Sequence, residues 1–394
     1  MVARRAHAAE RVIEAAFDHG VGRGHRGAGR RPRAHVLHRR TPWEYAVVGT
    51  LLLFSLFLLV QRQPALDAIG LIFEGAFGSS FAWQSTLLRA APLMLTALCV
   101  ALPAQVGLIV IGGEGALALG GMCAAIVPQI LPHGTPWLVA TPLMAVAGML
   151  AGGVWIGAVG ALRQWRGVNE TISSLLMSYI AIALFKHLVE GPLRDPASLN
   201  KPSTYPVPDA MMIGSIPGLD THWGLFWGVV ACLAAWVFVK FSTKGFAMRV
   251  VGGSHRAARL VGLPVNLLAL TACILGGAAA GLAGMFEVAA VQGSANASLL
   301  AGYGYAGILV AFAARQNPLA IIACALMIGG IEASGSLLQR RLDLPDATTL
   351  VLQGLLFANL LAWEALGGRI AAWRVKLQAV AQTDLPVQLE QTHA

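Results

Sequence analysis

Charge is scarce in this sequence. Only 12% of its 394 residues are Asp, Glu, Lys or Arg, against 56% apolar ones, and the mean hydropathy is +0.66. A water-facing globule of this length carries about a quarter charged residues, so that class is excluded. Metal-binding and nucleophilic patterns are scarce as well. The five cysteines, Cys99, Cys123, Cys232, Cys273 and Cys324, stand far apart inside apolar runs and read as small packing residues. No His/Cys/Asp cluster has metal-ligand spacing, and no G-x-S-x-G turn offers a nucleophile. There is accordingly no catalytic residue and no metal to nominate. The phosphate-cradling pattern G-x-x-x-x-G-K-[ST] is also missing, so nucleotide-driven work would need a separate subunit to hold the nucleotide.

What the sequence has is long apolar runs of about 17–25 residues, each able to cross a hydrocarbon core of about 30 Å. They predict an all-α, polytopic transmembrane helical bundle of about ten spans in two weakly related halves. The spans are Tyr45–Val60, Thr86–Pro103, Gly115–Leu131, Trp137–Leu162, Thr171–Val189, Trp223–Val239, Pro264–Ala283, Tyr303–Ala314, Pro318–Gly335 and Thr348–Leu366. Residues 285–302 fit no span cleanly. Tryptophans 43, 83, 137, 223 and 363 fall at predicted ends, where an aromatic belt belongs. Glycines four apart, at 148/152, 153/157 and 277/281, allow helices to approach closely.

The net charge of +9 does not point to nucleic acid, because the basic residues are placed as membrane orientation requires. Ten arginines lie within residues 1–42, a stretch without the apolar core of a secretory signal, expected as a disordered cytoplasmic tail. Residues 43–367 form the predicted membrane domain and 368–394 a second cytoplasmic tail. The connection 240–263 carries Lys240, Lys244, Arg249, Arg256 and Arg259 without an acid, whereas the long loop 190–222 mixes both signs. The first is therefore expected inside and the second outside, with both termini inside. Arg340 and Arg341 then fall outside, against the trend.

One acid stands deep in an apolar run, in "GLIVIGGEGALALGG" (107–121). A carboxylate there costs about 2.5–3.5 kcal/mol on insertion scales. Glu114 follows two glycines and opens what reads as a fresh helix, where unpaired N–H groups and the positive dipole end stabilise it. A place along a translocation path and an ion-coupling role are the competing readings. Transporters build sites where helices break in corresponding parts of two halves. The second half breaks in "VQGSANASLLAGYGYAG", which supplies Gln292, Asn296, Tyr303 and Tyr305 as further candidates for lining a path. Asn169 and Glu170 fit a helix cap, and Arg89 a snorkelling cation. Within 240–263, "SHRAARLVG" predicts a short helix from Ser254 with Arg256 and Arg259 on one face, suited to docking another protein.

The ordered series "LRAAPLMLTALCVALPAQVGLIVIGGEGALALGG", "GVNETISSLLMSYIAIAL", "GPLRDP", "KGFAMRVVGGSHRAARLVGLPV", "GLAGMFEVAAVQG", "GYGYAGILVAFAARQNPLA" and "VLQGLLFANLLA" resembles permease subunits of ABC importers for nucleosides and simple sugars, a branched-chain amino acid-like permease family. The resemblance covers residues 86 to about 362. It implies a bacterial inner-membrane dimer of permeases, with ABC ATPase subunits inside and a substrate-binding protein outside. It further implies docking of the ATPase through Arg249, Arg256 and Arg259, and no cofactor beyond ATP held by that subunit. Surrounding lipid is the remaining partner. Two motifs depart from the family's pattern. Its Asn-Ile-Gly-x-Glu-Gly-Gln reads Val110 to Ala116 here, without either amide, and its Asn before Tyr-Ile-Ala is Ser178. An ion-coupled secondary transporter using Glu114 is the alternative reading of the same chain.

Overall fold

A computed structural model describes residues 42–132, 135–218 and 220–383. The expected N-terminal tail, up to residue 41, and residues 384–394 lie outside the described residues. Thirteen α-helices make up the rest, and no strand occurs among the described residues beyond isolated bridges. They are α1 (Pro42–Val60), α2 (Ala65–Phe77), α3 (Ser80–Ala104), α4 (Gly113–Ile130), α5 (Trp137–Arg166), α6 (Glu170–Glu190), α7 (Gly224–Phe241), α8 (Thr243–Gly253), α9 (His255–Leu260), α10 (Val265–Phe286), α11 (Tyr303–Ala313), α12 (Pro318–Leu342) and α13 (Ala347–Thr383).

Seven of these are long and apolar enough to cross a bilayer, counting α10 with the π-turn Glu287–Gln292 that prolongs it. α1 and α2 pass the same test as a pair bent by 119°, and shorter apolar helical stretches lie over 297–313 and 347–363. Each of the ten expected segments thus coincides with a helix. Large apolar side chains such as Leu52, Leu56, Leu150 and Val154 stand exposed along their outer faces, as lipid contact requires. This is a multi-pass membrane protein.

Three expectations are corrected. α2 lies in what reads as a connection, because its thirteen residues are too few for a span by themselves. α11 has eleven residues, about 16 Å of helix, so Tyr303–Ala314 is half a crossing rather than a whole one. The last helix runs on to Thr383, past the expected end at Leu366.

Caps set several helix ends. The Asn169 carboxamide accepts from Thr171 and Ile172 N–H at 3.0 and 3.1 Å, and Arg163 pairs with Glu170 at 3.2 Å. Ser242 accepts from Gly245 N–H at 2.8 Å, and Ser254 from Ala257 N–H at 3.3 Å, which starts α9 where the sequence placed it. Gly167, in the left-handed region at φ +68°, turns the chain between α5 and α6.

The two ends of the bundle differ. At one, called here the basic end, Gln105 after α3 donates to Gln316 O after α11 at 3.0 Å, and Gly252 of α8 lies on Gln105 O. At the other, the loop end, residues 191–223 are tied to 293–296. Thr204 N–H donates to Ala295 O at 3.0 Å, and Val207 N–H to Gly293 O at 2.8 Å. Gln84 near the start of α3 reaches Asp220 there at 3.1 Å. Arg340 and Arg341 end α12 at the loop end, where Arg340 shares a small recess with Glu74, Ser79 and Ser85.

Among the described helices, α5 and α10 share the most extensive contact. A Cβ on Gly277 would run into Gly152 O, and one on Gly281 into Gly148 O, so backbones touch where side chains would normally stand.

Candidate functional site

The site is a pair of broken helices that meet end to end. α3 stops at Ala104, Gly107 turns at φ +79°, and the chain runs extended to Gly112 before α4 begins. Along this run Leu108 and Val110 are buried while Ile109 is exposed, as period-two backbone dictates. An extended segment inside a bundle leaves backbone groups unpaired, and α6 supplies partners for them. Thr171 Oγ1 donates to Ile109 O at 3.0 Å, Ser174 Oγ accepts from Ile111 N–H at 2.9 Å, and Ser178 Oγ accepts from Gly115 N–H at 3.3 Å. Positions 171, 174 and 178 follow the helical period, so one face of α6 presents three hydroxyls in a row. Ser178, where the family pattern has Asn, is thereby given a definite role.

Glu114 lies in the first turn of α4 and is 1% exposed. Its Oε1 accepts from Gly302 N–H at 3.0 Å and its Oε2 from Gly304 N–H at 2.6 Å. These are the leading N–H groups of α11. One carboxylate therefore stands between the positive ends of two helices, its own and the short α11 about 190 positions later in the chain. Each charge-assisted bond is worth about 1.5–3 kcal/mol, so two of them offset the cost of holding the charge in the interior. Gly302 takes φ +90°, and at Gly304 a Cβ would collide with the backbone of Gly113 and Glu114. Only glycine allows this approach.

The other path candidates are divided by the fold. Tyr303 is largely enclosed, and its carbonyl lies 2.9 Å from Thr96 Oγ1 of α3. Tyr305, one step beyond Gly304, is 39% exposed. Asn296 is buried under the loop end, where its Oδ1 accepts from Ser298 N–H at 2.9 Å and its backbone bridges to Ser203. Gln292 closes the π-turn at that same end. The structure thus gathers Glu114, Tyr303 and Tyr305 at the break and sets Gln292 and Asn296 apart from it. The α6 hydroxyls are the site residues that sequence reasoning missed; their helical spacing opposite the glycine break was the available signal.

Arg249, Arg256 and Arg259 are all exposed at the basic end, with Leu260 and Val261 uncovered beside them. Behind them Met248, Val251 and Ala258 pack with Val106, Leu108 and Val110. The basic helices α8 and α9 therefore rest directly on the extended run that leads to Glu114.

Residues 83–361 match the family described as branched-chain amino acid transport system, permease component. The chain belongs to that family. Among the relatives of this permease is a glucose ABC transporter permease protein, TsgB13, of Haloferax volcanii, 31% identical over 81% of this chain and 86% of the relative. The guanosine ABC transporter permease protein NupP of Bacillus subtilis is 28% identical over 73% and 83%. The probable riboflavin import permease protein RfuC of Treponema pallidum is 23% identical over 81% and 84%.

Proposed function

We propose that this chain is the membrane-spanning subunit of an ATP-driven ABC importer, carrying a small polar solute of the nucleoside or simple-sugar kind across a bacterial inner membrane. Family membership supports the permease role, and the relatives named for guanosine and glucose support the solute class. The observation that carries the coupling is the packing of α8 and α9 on residues 105–110, part of the break between α3 and α4 that leads on to Glu114, whose carboxylate holds the start of α11. A push on the basic helices reaches the starts of α4 and α11 through that run.

In this reading the basic end is cytoplasmic, both termini are inside, and the 191–223 loop faces the external binding protein. ATP is bound and hydrolysed by separate subunits seated on Arg249, Arg256 and Arg259, and the solute passes between two permeases. Glu114 acts as an organiser: both its oxygens already hold backbone donors, which argues against the ion-coupled carrier. The test is ATP-dependent uptake by vesicles carrying Arg256→Glu together with Arg259→Glu. Uptake should fall to background while the permease remains in the membrane at its normal level; undiminished uptake would remove the docking role.

A further inference from the structure

We infer that Gln105 is a positioning residue for ATP-driven transport: its side chain ties the turn between α11 and α12 to the seat of α8, so that α11 follows the basic helices at both of its ends. This role rests on the permease reading and adds a second link to the one through Glu114. Gln105 is the first residue after α3, and Gly252 of α8 lies on its carbonyl. A Cβ at Gly252 would run into that oxygen, so glycine is what lets α8 sit against the chain here. The Gln105 side chain reaches a different element. Its Nε2 donates to Gln316 O at 3.0 Å, just past the end of α11, and to Ala101 O of α3 at 3.2 Å. Two carbonyl oxygens can be met only by the N–H side of the amide, which fixes its orientation.

Glu114 holds the other end of α11 through Gly302 and Gly304. Gln105 and Glu114 flank the same break between α3 and α4, so one stretch of chain grips α11 at its start and at its finish. In between, Gly307 packs on Thr96 of α3, and residues 306–311 are buried. A helix of eleven residues held in this way moves as one piece. The turn that Gln105 grips is the least settled part of this end. Arg315 and Gln316 take φ +50° and +59°, two successive non-glycine residues in the left-handed region, and the buried Gln316 Oε1 has no partner among the described residues. Such a conformation persists only where its surroundings impose it. Loss of the Gln105 donors therefore frees the turn to relax, and the finish of α11 then ceases to follow α8.

The test uses the full transporter in proteoliposomes, with the five native cysteines changed to alanine and spin labels on Gly253→Cys of α8 and Leu319→Cys of α12. Both positions are exposed, and a Cβ at Gly253 meets nothing. Between the resting state and the state trapped with ATP and vanadate, the distance between labels should stay constant in the parent. In Gln105→Met, which removes both donors, it should shift by about 1–2 Å, the scale of a helix slipping at an interface. Gln105→Lys, which restores a donor, should return it to the constant parental value. Where Gln105→Met does not assemble with the ATPase, Gln105→Glu, isosteric and without a donor, is measured in its place. A distance that shifts in the parent, or one that stays constant without a donor, would overturn the role of Gln105. So would a change of equal size in both states, the mark of a merely structural bond. A second labelled pair, Gly253→Cys with Leu199→Cys at the loop end, reports whether nucleotide moves the permease at all. No response from that pair would bring down the permease reading itself.

Discussion

At the scale of single residues, Glu114 decides most. Its presence deep in an apolar run was legible as a charge in a first helical turn, because only a dipole end and free N–H groups make that placement tolerable. Its partners were not legible, since Gly302 and Gly304 lie about 190 positions away and sequence spacing carries no trace of such a contact. Glu114→Gln keeps the volume but sets an amide N–H against one of the two glycine donors. It should cost about 1.5–3 kcal/mol, read as a lowered melting temperature in detergent, and Glu114→Ala more. A Glu114→Gln protein as stable as the parent would show that the two bonds do not hold the starts of α4 and α11 together. His222, outside the membrane segments, gives a second test. Its Nδ1 accepts from Gly224 N–H at 3.0 Å, and burial pushes its pKa down to about 4 from the ordinary 6.5. The depressed value means that its contribution is complete above pH 6.5 and is lost as pH falls towards 4. Over that window the parent should lose up to about 3 kcal/mol more than His222→Gln, seen as a steeper fall in melting temperature.

Among the elements, the apolar runs were readable because hydropathy over about 20 residues is a strong signal, and each run coincides with a helix. In the sequence α2 reads as a connection because its thirteen residues are too few for a span, and α11 reads as a whole span. A half-helix is apolar like a whole one, and only its partner across the bundle reveals where it stops. The glycine pairs fared better: 148, 152, 277 and 281 meet backbone to backbone in one α5–α10 seam. Gly281→Val should therefore overpack the seam by about 1–3 kcal/mol and lower the yield of folded permease, with Gly214→Val in the exposed loop segment as a control for expression. Equal yields would mean that the seam opens more easily than its contacts imply. The cap at Ser254 was legible from composition alone, because a serine before "HRAARL" satisfies a free N–H of the first turn.

For the molecule as a whole, the fold joins three places that the sequence keeps far apart. The basic helices α8 and α9 sit on residues 105–110, the chain continues from there to Glu114, and Glu114 holds the start of α11. α6 fastens residues 109–115 through three hydroxyls. A load applied at Arg256 and Arg259 thus has a continuous packed route to the break, which is what an importer driven by a separate ATPase needs. The family was legible from the order of its motifs. The route was not, because it depends on which backbone lies on which.

The measurement that bears most directly on this account is a pull-down of the permease in mild detergent from cells of its own source, with mass spectrometry of the proteins that accompany it. The account expects a P-loop ATPase to co-purify, and to be lost from the variant carrying both Arg256→Glu and Arg259→Glu while that variant stays folded and membrane-bound. A permease that purifies without any ATPase, or one that keeps its ATPase after both charges are reversed, would contradict it.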